Sequence, residues 1–235
     1  MLIPKSLSVH LLIQIIPMLI RDKNALQENL LSQQILKDTN MSESSIIESL
    51  IHWISQSIEI PIGLEDDLLS ILDSRQLKKG DLILRSGEPV KKTYFIIDGC
   101  IRSFLTDRFG KEHTIQFATK NWWISDYRAY FSNKTALLNI ECIANAHVIE
   151  MNWSDLDRIY KRFPTIESFQ KSNLEKHLVS LNTRIQSQLE LGAEDRYLKF
   201  MTDFPEVAEF AQNNHIASYL GISPQSLSRL KSKLN

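Results

Sequence analysis

Glycine punctuates the middle of this chain at intervals that suit hairpins and little else. The strand-length apolar runs "DLIL", "YFIID", "CIRSFL" and "HTIQFA" alternate with turn pairs at Lys79-Gly80, Ser86-Gly87, Asp98-Gly99 and Phe109-Gly110. Parallel strands need a crossover of about a dozen residues or more, usually a helix, and none fits between these turns. The spacing predicts antiparallel sheet, a β-roll or jelly roll over about residues 76 to 152, with a short helix over residues 64 to 72 ("LEDDLLSIL") leading into it. No repeat of solenoid period and no low-complexity segment interrupts this texture.

After "MNWSDLDRIYKRFP" the pattern turns helical and stays so. Ile166, Phe169, Leu174, Leu178, Leu181, Ile185 and Leu189 are expected to line one side of a helix of about six turns, with spacings of three and four from Leu174 onward. Such a stripe can lie on the roll or pair with the same helix of a second chain. The heptad-like spacing favours pairing, through Leu174, Leu178, Leu181 and Ile185, with Asn173 and His177 as polar interruptions that fix register. Gly192 is expected to end the helix as a C-terminal breaker, and "AEDRYLKFMTDFP" to form another that stops before Pro205.

The last element reads as a helix-turn-helix. In "IASYLGISPQSLSRL", Ala217 lets two helices cross closely, Gly221 supplies the turn and Leu227 anchors the second helix. Ser223 is placed as its N-cap and Pro224 at its first position. On a helical wheel Leu227, Leu230 and Leu234 share one side, while Gln225, Ser228, Arg229 and Ser232 share the other. Gln can bond adenine bidentately and Arg guanine, and Lys233 on the flank suits phosphate. Ser223, Gln225, Ser226, Ser228, Arg229, Ser232 and Lys233 are therefore the candidate DNA contacts. Charge placement agrees. The chain carries a net charge of -1, yet residues 211 to 235 hold Arg229, Lys231 and Lys233 and no acid.

The N-terminus is read differently. The apolar stretch "LSVHLLIQIIPMLI" is too short for a membrane span, is broken by Gln14 and Pro17, and lacks a small-residue cleavage site. Met41 then opens "MSESSIIESLIHWISQSI", where Ser42 or Ser44 can cap a helix with Ile46, Ile47, Leu50, Trp53 or Ile54, and Ile58 at helical spacing. Met41 is expected to be the functional start, leaving residues 1–40 as an extension outside the fold. A chain of 235 residues with 43% hydrophobic content is expected to form two modest domains. The expected division is 41–160 for a sensor roll with flanking helices, 161–191 for a dimerisation helix and 192–235 for the helix-turn-helix domain. Cys100 and Cys142 sit in apolar strand contexts and read as reduced structural thiols.

The segments "YFIIDGCIRSF", "GKEHTIQFATKNWWISD", "AEDRYLKFM" and "HIASYLGISPQSLSRLKSKL" resemble the Crp/Fnr superfamily of bacterial transcription regulators, most closely its Bacteroidetes-type members, from about residue 46 to the end. The resemblance implies an α+β fold: a cyclic-nucleotide-binding-like β-roll, a long dimerisation helix and a C-terminal winged-helix-type domain. Because the sequence stops at Asn235, the wing that commonly follows is expected to be truncated. A gap-free placement on the cAMP cassette sets Ser125 and Asp126 where Gly-Glu would hold the ribose, and Ala136 and Leu137 where Arg-Ser would hold the phosphate. With no cation left for the phosphate, cyclic nucleotide is not expected to bind. Arg128 and Lys134 are candidates for another anion. Trp122, Trp123, Asp126, Tyr127 and Arg128 are the effector-pocket candidates; with Tyr130 and Phe131 they make a cassette dense in aromatics, read either as core or interdomain packing or as an apolar effector pocket.

Two cysteines exclude an iron-sulfur sensor held by four ligands, mostly Cys. A cupin-type metal enzyme would need clustered His and carboxylate ligands, yet adjacent Glu112 and His113 point to opposite strand faces and His147 stands apart. No cofactor, metal or catalytic residue is assigned. The sequence thus points to a homodimeric, cytoplasmic, non-enzymatic regulator whose partners are double-stranded DNA, a second copy of itself, RNA polymerase and an unidentified small-molecule effector, with no membrane. The alternative is a jelly-roll ligand-binding module or cupin-like enzyme whose terminal helices do not touch DNA.

Overall fold

The computed structural model describes residues 43–234, and within them the roll and every later helix belong to one unit. The expected extension over residues 1–40, the start at Met41 and the capping hydroxyls of Ser42 and Ser44 lie outside the described residues and side chains.

Helix α1 (Glu43–Ser55) buries Ile46, Ile47, Leu50 and Ile54, the face its periodicity predicts. Trp53 beside them is the tie, its ring 4.9 Å from Phe95 of the roll and 5.0 Å from Phe169 of the long helix. After α2 (Leu64–Leu69) come eight strands: β1 (Asp73–Leu77), β2 (Leu82–Leu84), β3 (Lys92–Asp98), β4 (Ile101–Thr106), β5 (Glu112–Ala118), β6 (Trp123–Ile124), β7 (Asn139–Cys142) and β8 (Ala146–Asn152). They form two antiparallel four-stranded sheets, ordered β1-β8-β3-β6 and β2-β7-β4-β5, the expected roll. Between them lies a core that includes Tyr94, Ile96, Ile101, Ile124, Ile140 and Val148. Strand β1 begins earlier than its sequence suggested. "DSRQL" has no apolar run, because it is an edge strand held by register with β8, Asp73 opposite Glu150 through Leu77 opposite Ala146.

Of the expected turns, Gly99 is the most constrained. It takes φ +94°, and a Cβ there would overlap the Asn145 carbonyl oxygen and stand 2.6 Å from Ala146 Cα. The β3-β4 turn thus rests directly on the backbone that leads into β8.

Helices α3 (Tyr127–Phe131), α4 (Trp153–Arg162) and α5 (Pro164–Glu190) follow, then α6 (Ala193–Asp203), α7 (Pro205–Phe210), α8 (Asn213–Leu220) and α9 (Pro224–Leu234). Pro205 does end α6, and it also opens α7, a helix the sequence reading did not foresee, because proline is suited to a first helical position.

The long helix differs from its expectation in one instructive way: its apolar residues do not share one side. Ile166 and Phe169 are buried, whereas Leu178 and Ile185 are 57% and 55% exposed. The five-residue step from Phe169 to Leu174 turns the helix by roughly 500°, which carries the stripe about 140° around the axis. Asn173 and His177 fall on the inner side with Phe169. His177 lies 5.9 Å from the Tyr127 ring, and the Asn173 amide nitrogen is buried without an acceptor. They therefore do not interrupt the outer stripe. Gly192 does stand at the helix break, but at φ −65° it is the extended residue before α6 and not a left-handed cap.

A second apolar cluster joins the C-terminal helices to the roll. Tyr197, Phe200, Val207, Ile216, Tyr219 and Leu227 pack together with Cys100, Phe117 and Ile143, so these helices complete their core on roll residues. Leu227 is fully buried and Leu230 packs at the cluster's edge, but Leu234 is 40% exposed, a turn beyond the end of the surface it was expected to cover.

Gly99→Ala adds both left-handed strain and a backbone clash, and should cost about 2 to 5 kcal/mol. Urea denaturation followed by tryptophan fluorescence measures this. A loss below about 1 kcal/mol would mean the turn is free to move away from the start of β8.

Candidate functional site

The α8-turn-α9 unit is built as its sequence requires. Gly221 takes φ +69°, and the Ile222 N–H donates to the Ala217 carbonyl at 3.0 Å, closing α8 around a left-handed residue. The Ser223 hydroxyl accepts from Ser226 N at 3.1 Å, the expected N-cap, and Ser226 Oγ is 2.9 Å from Ser223 Oγ. Ala217 is fully buried where the helices cross.

With Leu227 turned inward, Gln225, Ser228, Arg229 and Ser232 stand together on the exposed face of α9. Ser223 and Ser226 are occupied in the cap at its N-terminal end. Among the described residues the Arg229 side chain makes no intramolecular hydrogen bond or ion pair, and α9 carries no acid in its first turn. Lys233 is placed differently from its sequence reading: its ammonium is 2.6 Å from Glu194 of α6. Lys231 donates to Asn213 at 2.6 Å. A surface pair such as Lys233-Glu194 is worth about 0 to 1 kcal/mol, so Lys233 can exchange Glu194 for a phosphate at small cost.

The inner side of α8 rests on β5, the edge of its sheet. Ser218 Oγ accepts from Thr114 N at 2.9 Å and donates to the Glu112 carbonyl at 3.0 Å. Arg184, from the middle of α5, donates to the Thr114 carbonyl at 2.9 Å, the Ile115 carbonyl at 2.6 Å and the Tyr219 carbonyl at 2.7 Å. The register skips Ile115 between Ser103 opposite Gln116 and Phe104 opposite Thr114, a bulge that frees the Ile115 carbonyl for the guanidinium. Sequence reasoning missed both residues. The available signal was an arginine on the side of α5 away from the leucine stripe. His215 of α8 is 7% exposed, and burial pulls its pKa down to about 4, so it is neutral at pH 7.

The outer face of α5 is apolar and open. Leu178, Val179, Ile185 and Leu189 are all more than half exposed, and Leu174 and Leu181 are partly so. The four candidate interface residues thus lie on one outward strip.

The cassette after β6 does not gather its candidates. Trp122 points toward α6, its ring 6.4 Å from Phe204, while Trp123 points the other way, 5.2 Å from Phe95. Tyr127 packs edge-on to Trp153 at 6.0 Å, and Arg128 is exposed. Tyr130 stacks on Trp153 at 4.0 Å, so much of the aromatic density is packing. Asp126 is the exception. Only 2% exposed, its carboxylate accepts from Ala129 N at 3.0 Å, capping α3, and from Leu137 N at 2.8 Å and Leu138 N at 3.1 Å. The backbone donors beside Ala136 and Leu137, where the resemblance would seat a phosphate, are spent on an internal anion.

The polar residues weighed as metal ligands have other partners. Buried Arg102 holds both Glu112 and Glu141, His113 Nε2 is 2.9 Å from Asp107, and His147 Nε2 is 2.7 Å from Ser74 Oγ. Cys100 and Cys142 are buried and free, and burial raises both thiols to about 12, so neither is a thiolate at neutral pH. Among the described residues no helix is long and apolar enough to cross a membrane.

Comparison with known proteins matches this geometry to a familiar arrangement. Residues 74–163 match the family described as cyclic nucleotide-binding domain. In fold the chain is similar to the c-di-GMP responsive global regulator CLP of Xanthomonas campestris, at 15% identity and TM-score 0.61, covering 74% of this chain and 91% of that one. It is similar to FixK2 of Bradyrhizobium japonicum at 17% identity and TM-score 0.60, covering 70% and 84%. A protein of Eubacterium rectale described as a Crp/Fnr-family transcriptional regulator aligns at 12% identity and TM-score 0.61, covering 74% and 83%. No curated protein sequence matches the chain. The roll, long helix and terminal helices together have the fold of Crp/Fnr regulators, with the roll a domain of cyclic-nucleotide-binding type.

Asp126→Ala removes a cap and strands two further N–H groups, and should destabilise the protein by about 2 to 4 kcal/mol. Thermal unfolding in buffers with and without phosphate tests the seat directly: the variant should gain more from phosphate than the parent does. Equal gains would mean the three N–H groups do not form an anion seat once the carboxylate is gone.

Proposed function

We propose that this chain is a homodimeric, sequence-specific DNA-binding transcription regulator whose sensor roll does not bind cyclic nucleotide. The observation that carries the reading is the exposed face of α9, on which Gln225, Ser228, Arg229 and Ser232 project beside a buried Leu227 anchor, with Arg229 free of intramolecular partners among the described residues. Helix-turn-helix proteins present such a face to the major groove. The relatives in fold are regulators and not enzymes, which supports the class.

The dimer places the α5 strip of one copy against that of another. Four apolar side chains more than half exposed along one helix face are a liability alone, and a second copy of the same helix satisfies them at heptad spacing. Residues 41–160 then serve as the sensor roll, 161–191 as the dimerisation helix and 192–235 as the DNA-binding segment. The protein works in the cytoplasm with duplex DNA and RNA polymerase as partners. The cyclic phosphate is disfavoured because Asp126 already occupies the backbone donors and would repel a second anion. Selection of bound sites from random duplex DNA is the direct test. Recovery of a two-fold symmetric motif supports dimer and reading helix together, and recovery of no motif rejects the function.

Leu178→Asp should give monomers with halved sedimenting mass and no tight operator binding, since a carboxylate in an apolar seam is unpaired. An unchanged dimer would move the interface off this face. Arg229→Ala should cost about 1 to 3 kcal/mol on the selected site and relax preference at one base pair per half-site, whereas Lys233→Ala should weaken all duplexes alike. Titrations on matched and mismatched duplexes decide it. Uniform weakening by Arg229→Ala, with base preference intact, would make Arg229 a backbone contact.

A further inference from the structure

Where α5, α6 and α8 meet the roll there is a cavity of about 340 Å³, within the range of small-molecule sites. It lies on the side of α5 opposite the exposed stripe, and of the effector-pocket candidates Trp122 alone lines it. One wall is aromatic. Trp122 of the roll stands 6.4 Å from Phe204, and Phe204 stands 6.0 Å from Tyr219 and 5.7 Å from Phe200. These rings, in contact with one another, present an apolar wall against which another flat ring can pack.

The other wall is cationic in excess. Arg184, Arg196 and Lys199 line the cavity against one carboxylate, Asp203, which pairs with Lys199 at 2.8 Å. Arg184 spends its donors on backbone carbonyls, which satisfy hydrogen bonds without cancelling charge. Arg196 gives Nη1 to the Leu191 carbonyl at 2.6 Å, and its Nε–H is buried with no acceptor. Among the described residues neither guanidinium has a carboxylate partner, so this wall carries uncompensated positive charge, which an anion in the cavity offsets. A carboxylate matches the planar guanidinium fork, and the aromatic wall selects the body that carries it.

We propose that this junction cavity is a binding site for a small aromatic carboxylate of one or two rings, the ring lying against Trp122 and Phe204 and the carboxylate on Arg196. The inference concerns binding alone and does not depend on whether α9 reads DNA. Its position is nonetheless informative, because a ligand there touches the roll, the long helix and α6 together.

Calorimetric titration of the full chain with 1-naphthoate and indole-3-acetate, and with the neutral amides 1-naphthamide and indole-3-acetamide, tests it. The carboxylates should bind and the amides should bind at least about tenfold more weakly, as loss of a charge-assisted hydrogen bond implies. Arg196→Gln should weaken the carboxylates by about tenfold or more while leaving the amides unchanged. Ser187→Phe, which fills the cavity from α5 and removes no cation, should abolish both, with circular dichroism confirming the fold of each variant. Cyclic AMP should not compete. The proposal is overturned if neither carboxylate binds at millimolar concentration, if acid and amide bind alike, or if folded Ser187→Phe binds as the parent does.

Discussion

An edge strand of a sheet exposes backbone donors and acceptors that something must satisfy, and in this protein the edge of β5 organises everything after the roll. Ser218 takes one donor and one acceptor of that edge, and Arg184 takes two acceptors while also reaching the Tyr219 carbonyl at the end of α8. A cation at a helix C-terminus is favourable in itself, and the guanidinium also lies 4.0 Å over the Tyr219 ring. Hydrogen bonds to a charged group contribute about 1.5 to 3 kcal/mol each, enough for one arginine to fix three elements in one register. The direction of α9 relative to the roll follows, since α9 is tied to α8 through Gly221 and Leu227.

The long helix has to serve two environments, and its sequence divides accordingly. Up to Phe169 its apolar residues are buried, Phe169 against Trp53 of α1; from Leu174 they face outward, while Arg184 and its polar neighbours face the terminal helices. A single five-residue step makes the change. One helix therefore carries the contact surface proposed for a second copy on one side and the junction with the terminal helices on the other.

Asp126 satisfies from within the chain three backbone N–H groups on two segments of the roll. Its carboxylate supplies to three backbone N–H groups what an anion bound there would supply, and the roll retains its geometry. The aromatic side chains around it, Tyr127, Tyr130 and Trp153, pack on one another.

Much of this was legible in the sequence because it is local. The glycine-bounded strands, the Ser223 cap, the left-handed Gly221 and the exposed set of Gln225, Ser228, Arg229 and Ser232 depend on residues a few positions apart. Strand β1 was not legible, because a polar edge strand is specified by its partner β8 and not by its own pattern. Nor was the pairing of Lys233 with Glu194 or the Asp126 seat, each of which joins residues from different loops or helices. Least legible was Arg184, an arginine in a helix like any other until the edge of β5 and its bulge placed the Thr114 and Ile115 carbonyls before it. The sequence by itself determined the elements that propensity and periodicity specify within one segment; only the tertiary structure decided the polar edge strand β1 and how the elements meet, because buried backbone groups are satisfied across elements distant in the chain.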